Sequence, residues 1–179
     1  MTRVTATALI PAALIAGVLT MSGCAQVQLA PRAQAPDPDL SECSGVEVVV
    51  DGRQLGETGH GGYAYPSAAC VDGDLSPSNA QAAFTAADVT PTVGDLGRVC
   101  RVDGVPEESE GLAKPGGGLY FERCDATMPP DSARWVLWHQ ATDGSWSDTD
   151  QDPYRLAVAP GERVALVYSY DGAPTPPGT

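Results

Sequence analysis

The chain has 179 residues, of which Gly 20 and Pro 16, and that density of turn formers excludes a fold of long helices and favours one modest domain of short elements. Hydrophobic residues at 42% can build a core, which excludes a wholly disordered chain. The net charge of −13, from 10 basic against 23 acidic residues, excludes nucleic acid as a partner, since a polyanion would be repelled almost everywhere.

Residues 1–23 carry one basic residue, Arg3, then an apolar run from Ala8 to Met21, then small residues: the order of an export signal, and too short a run for a comfortable membrane span. Met21-Ser22-Gly23-Cys24 resembles the bacterial lipobox, in which a peptidase cuts before a cysteine bearing a diacylglyceryl group. That resemblance implies lipid attachment at Cys24 and a product held on the extracytoplasmic face of the cell membrane, with plain secretion as the alternative. Residues 24–41 are Ala/Pro-rich without apolar periodicity and are expected to be a flexible tether, so the folded domain is placed at 42–171 and a disordered tail at 172–179.

Export brings an oxidising environment, and four cysteines remain beyond Cys24: Cys43, Cys70, Cys100 and Cys124. Three connectivities exist. Joining Cys43 to Cys70 and Cys100 to Cys124 is favoured, because each bridge then staples one local excursion of the chain. A zinc site is the rival, but no pair has the close spacing of a structural zinc knuckle.

Val46 to Val50 is β-branched and apolar apart from Glu47 and reads as a strand ended by Asp51-Gly52. A glycine-rich patch containing His60 leads to a weaker strand near Tyr63 to Cys70. One helix follows, with Ser76 as cap, Pro77 in its first position, and Ala80, Ala83, Phe84 and Ala87 along one face. Residues 97–106 read as a central or near-central strand, and Glu107 to Glu122 as a mobile loop around "KPGGG". Arg134 to Gln140 is a strand turning at Asp143-Gly144. Tyr154 to Val158 and Arg163 to Tyr170 are expected to form a hairpin at Pro160-Gly161. A mixed sheet of five or six strands carrying one short helix is an α+β fold.

"GVEVVVDG", "VCRVDGVP", "MPPDSARWVLWH…GSW" and "YRLAVAPGERVALVY" occur in an order that resembles exported, actinobacterial lipoprotein members of the transcobalamin-like carboxy-terminal domain family, over Cys43 to Tyr170. The resemblance implies a β-grasp fold and a non-catalytic module that covers or presents a ligand, corrinoid-like in the relatives. The chain departs from the family at Arg134 and Leu137, where tyrosines are usual, and at Asp148. No cobalamin-contacting residue is carried over.

Period-two geometry puts Trp135, Leu137 and His139 on one face of their strand and Val136, Trp138 and Gln140 on the other. Core packing, with Trp146 across the turn, is the plain interpretation; the functional one makes Trp135, Trp138, His139 and Trp146 a ligand-binding set. No catalytic residue, metal or cofactor is expected. There is no G-x-S-x-G elbow, and Asp143, Asp148, Asp150 and Asp152 do not form a calcium loop of the EF-hand kind, because Pro153 stands where glycine is needed. The expected role is therefore binding or presenting a small molecule or a protein partner; the alternative is a structural adaptor docking on a membrane transporter or surface assembly.

Overall fold

Nine strands and one α-helix are present in the computed structural model, which describes residues 43–58, 67–125 and 133–177. Strand β1 (Val46–Asp51) is buried along its whole length, as its β-branched run requires, and pairs antiparallel with β2 (Ser67–Val71). Between them, Arg53–Thr58 forms a 3-10 helix whose Leu55 enters the core. Helix α1 (Ala80–Ala86) follows, then β3 (Pro91–Val93) paired with β4 (Val99–Val102), and β5 (Gly111–Ala113) paired with β6 (Leu119–Phe121). Strands β7 (Ala133–Gln140), β8 (Trp146–Thr149) and β9 (Arg163–Tyr170) complete a five-stranded sheet in the order β2-β1-β9-β7-β8. The first and last strands are neighbours and run parallel; every other pair in this sheet is antiparallel.

One face of the sheet holds the main core. Ala80, Ala83 and Phe84 of α1, all fully buried, meet Val46, Val48, Val50, Leu137, Val164 and Leu166 there, and Val99, Val102 and Leu112 of the two small sheets join them. The alanine-rich helix face lets the backbone approach closely while Phe84 fills the gap. Gly45 is needed where the chain enters β1: a side-chain carbon there would stand 1.9 Å from the Val71 carbonyl oxygen.

The pairs Cys43–Cys70 and Cys100–Cys124 form, with Cα atoms 5.6 and 5.4 Å apart. The first ties the entry of β1 to β2, and the second ties β4 to the segment after β6.

Several expectations from sequence are corrected. The helix is capped by Asn79, not Ser76, and Pro77 lies before it: Asn79 Oδ1 accepts from the Ala82 amide at 2.9 Å while its Nδ2 donates to the Tyr154 carbonyl at 3.0 Å. The second strand is Ser67–Val71, and the part of its expected range from Tyr63 to Pro66 lies outside the described residues, as do His60 and Cys24. Residues 97–106 are not central: only Val99–Val102 is strand, paired with β3 alone in a two-stranded sheet, because the turn at Asp103-Gly104, both at positive φ, ends it after four residues. Glu107 to Glu122 holds the β5–β6 hairpin, closed by Gly116, Gly117 and Gly118 at positive φ, with the Lys114 amide donating to the Gly118 carbonyl at 3.0 Å. Tyr154 to Val158 is no strand. It follows turns and makes one bridge, Ala157 to Asn79, because β9 is already paired on both edges by β1 and β7.

Each disulfide closes a loop of 27 or 24 residues, so removing either by a paired Cys→Ser change is expected to cost about 3 kcal/mol in denaturant unfolding. Thiol titration of the untreated protein before and after denaturation checks the premise: no free thiol should appear from Cys43, Cys70, Cys100 or Cys124.

Candidate functional site

The alternation along β7 divides the four aromatic and imidazole candidates between two environments. Trp135 is buried in the main core, where its indole Nε1 donates to the Val105 carbonyl at 3.1 Å and its ring meets Tyr168 edge-on at 5.4 Å. It clamps the segment after β4 onto the sheet. His139 shares that face, but its Nε2 lies 3.1 Å from Glu162 Oε2, and the same carboxylate oxygen accepts the Ala159 amide at 2.9 Å. The histidine therefore braces the Pro160-Gly161 turn.

Trp138 and Trp146 lie on the opposite face. Register there arranges residues in rows across all five strands. One row runs Cys70, Glu47, Arg163, Gln140, Trp146; the next runs Ala68, Val49, Ala165, Trp138, Asp148. Ala68, Val49, Ala165 and Trp138 of the second row, with Val136 and Val167, form a separate apolar cluster against which Trp146 also packs. The first row is polar and centred on Arg163. Its Nη1 donates to Gln140 Oε1 at 3.3 Å, its Nη2 pairs with the buried Glu47 carboxylate, and its guanidinium stands 5.5 Å from the centre of the Trp146 ring. At the far end of the face Arg134 stands 4.0 Å from Asp150, and Thr175 and Pro176 of the tail line a cavity with Asp51, Arg53 and Val167.

Two features make this face more than packing. The Trp138 indole Nε1 is buried and finds no hydrogen-bond partner among the described residues, so no described group offsets its desolvation. The Trp146 ring, half-buried, is held in position by a cation whose own charge is neutralised by Glu47. The half-buried Trp146 ring, oriented by Arg163, is the part of this face that can stack against an apolar or aromatic molecule.

Arg163, Glu47 and Gln140 do not stand out in the sequence as site residues. Glu47 carried a signal, as the one charge inside Val46 to Val50, because a lone carboxylate in a strand buried on both faces needs a cation opposite it.

A second polar cluster lies beneath the β5–β6 hairpin. Tyr120 donates to the buried Glu122 carboxylate, the Cys124 amide donates to Glu122 Oε1 at 2.8 Å, and Arg101 Nη2 donates to the Glu122 carbonyl at 2.6 Å. Glu122 thus links the hairpin to the Cys100–Cys124 disulfide. Burial, with the hydrogen bond to Glu122, pushes the Tyr120 phenol above its ordinary value, and burial beside Glu122 does the same for Tyr168. This is structural polar packing at the edge of the core.

No family model, curated protein or solved structure matches this chain. No helix among the described residues is long and apolar enough to cross a membrane.

Arg163→Met leaves the Glu47 carboxylate buried without its cation, and is expected to cost about 2 kcal/mol, less than for a fully buried pair because Arg163 is partly solvated. The double variant Arg163→Met with Glu47→Gln should recover most of that loss in denaturant melts. The raised phenols set an alkaline limit. A group bound more tightly to its proton in the folded state gives stability that is complete below its unfolded value of about 10 and is lost as pH rises past it. Unfolding free energy should therefore fall above about pH 10, and Tyr168→Phe should make that fall shallower.

Proposed function

We propose that this chain is a non-catalytic, extracytoplasmic binding lipoprotein, anchored through Cys24, that presents the sheet face of Trp138 and Trp146 to a small molecule or a protein partner. The single observation behind the reading is the half-buried Trp146 ring stacked by Arg163 beside an apolar row whose Trp138 indole N–H has no partner among the described residues. Export is supported by the two disulfides, which persist in oxidising compartments. The finer fold assignment is β-grasp. Its support is the strand order β2-β1-β9-β7-β8 with parallel first and last strands and α1 against one face. That arrangement agrees with the resemblance to the transcobalamin-like carboxy-terminal domain, which in its relatives covers or presents a corrinoid-like ligand.

The adaptor reading has its own observation. Leu119 and Phe121 project from one side of β6, exposed at 60% and 44%, on a hairpin whose tip bears Lys114. An adaptor docks on a transporter or surface assembly through such a hairpin and needs no small ligand.

Titrating corrinoids and a panel of other flat cofactors against the intact protein separates the two. The binding reading expects at least one compound to shift tryptophan emission and raise the melting temperature, and Trp138→Phe to weaken that response at least tenfold, as loss of an indole anchor with its N–H does. A silent panel, with capture of a membrane protein that is lost in Leu119→Asp with Phe121→Asp, would establish the adaptor instead.

A further inference from the structure

The start of β7 carries a cation that its surroundings leave poorly matched. The Arg134 side chain is only 20% exposed, close to Arg101 at 16%. Arg101 and Arg163 each leave Nε unbonded but commit Nη2 to a near oxygen, the Glu122 carbonyl at 2.6 Å for one and the buried Glu47 carboxylate for the other. Arg134 has only Asp150 among the described residues, 4.0 Å away and itself 87% exposed, and its Nε is buried without a hydrogen-bond partner. A guanidinium drawn this far from water with its donors unused is costly unless an anion meets it.

The topology leaves room for one. Strand β8 ends at Thr149, opposite Leu137, so it does not cover the edge of β7 from Arg134 to Val136. Two hollows of about 340 and 270 Å³ lie along that edge, between β7 and the Arg98–Cys100 end of β4. Both are lined by Arg98, Val99, Arg134 and Trp135, so they form one groove. Leu96, 46% exposed, stands in its wall.

We propose that this groove is a binding site for a small organic molecule bearing a single carboxylate. Two arginines, Arg98 and Arg134, line it in a chain of 10 basic residues against 23 acidic ones. Arg134 lines both hollows, so the oxygens that its guanidinium lacks can come from the groove. A planar carboxylate is the group whose two oxygens match the fork of a guanidinium. Leu96 gives the hydrocarbon part of such a molecule an apolar contact beside the charged end.

The acids of the groove set the charge of the ligand. Glu122, held by Tyr120 and by the Cys124 amide, lines one end with Asp125, and Asp150 lines the other. Those carboxylates repel a second negative charge, which favours a monocarboxylate over a phosphate ester. Asp150 is the weak competitor already at Arg134, and the ligand takes its place there. The site does not rest on the function proposed for the Trp146 ring, which stands opposite Gln140, about 20 Å further along β7.

The test titrates phenylacetate, indole-3-acetate and octanoate against the intact, oxidised protein and follows the Arg134 Nε–H signal by nitrogen-15 NMR. At least one of the three is expected to saturate at millimolar concentration or below and to move that signal. Phenylacetamide and phenyl phosphate should bind about tenfold more weakly or worse, and Arg134→Gln should weaken the acid by about as much. Arg123→Gln, outside the groove, should change nothing. Asp150→Asn removes an exposed competitor without touching the core, so it guards against a misfolded Arg134→Gln protein, and it should tighten binding about twofold. No saturable response to any of the three acids overturns the proposal. So does an Arg134→Gln protein that binds as tightly as the parent, an amide or phosphate that binds as well as the acid, or an Asp150→Asn protein that binds no more tightly.

Discussion

The parallel pairing of β1 with β9 is the constraint on which the rest of this structure depends. It joins Glu47–Asp51 to Arg163–Val167, so that the first strand of the domain is completed only by the last. Parallel neighbours cannot be joined by a tight turn, and the intervening chain has to build a complete circuit before the two can meet. That circuit is β2 and α1 on one side and β7 with β8 on the other, with the small sheets inserted between. Both central strands are buried on both faces, which explains why their sequences are nearly continuous runs of valine, alanine and leucine and not alternating patterns.

Pairing between such distant segments is costly in loop entropy, and each disulfide offsets part of that cost locally. Cys43–Cys70 fixes β1 against β2 before β9 is needed, and Cys100–Cys124 gathers the β3–β4 and β5–β6 sheets into one inserted body. Trp135 and Glu122 then attach that body to β7 and to the second disulfide. The polar row of Glu47, Arg163 and Gln140 is likewise a fastening between β1, β9 and β7, and its cation also orients Trp146. Stability and the candidate site thus share residues.

Much of this was legible in the sequence, for reasons that can be traced. The strands β1, β7 and β9 are long and strongly apolar, so composition alone marks them, and the α1 face shows in the spacing of Ala80, Ala83 and Phe84. The disulfide pairing followed from locality. The short elements were hidden: β3, β5 and β6 have three residues each, too few for a period to register, and "KPGGG" reads equally as a loose loop or a hairpin tip. The hairpin expected at Pro160-Gly161 failed because turn chemistry identifies a reversal but not the neighbour a strand finally takes. For the site, alternation separated Trp138 from Trp135 and His139 correctly, whereas Arg163 entered only through register across β1, β9 and β7, which no local pattern encodes.

Residue-resolved native-state hydrogen exchange on the oxidised protein tests the central claim most directly. If the β1–β9 pairing closes the domain, the amides of Val48–Val50 and Val164–Val167 exchange slowest and share one opening free energy, equal to that of global unfolding. Exchange at those amides as fast as in the β5–β6 hairpin, with protection surviving in β7 and β8 alone, would contradict it.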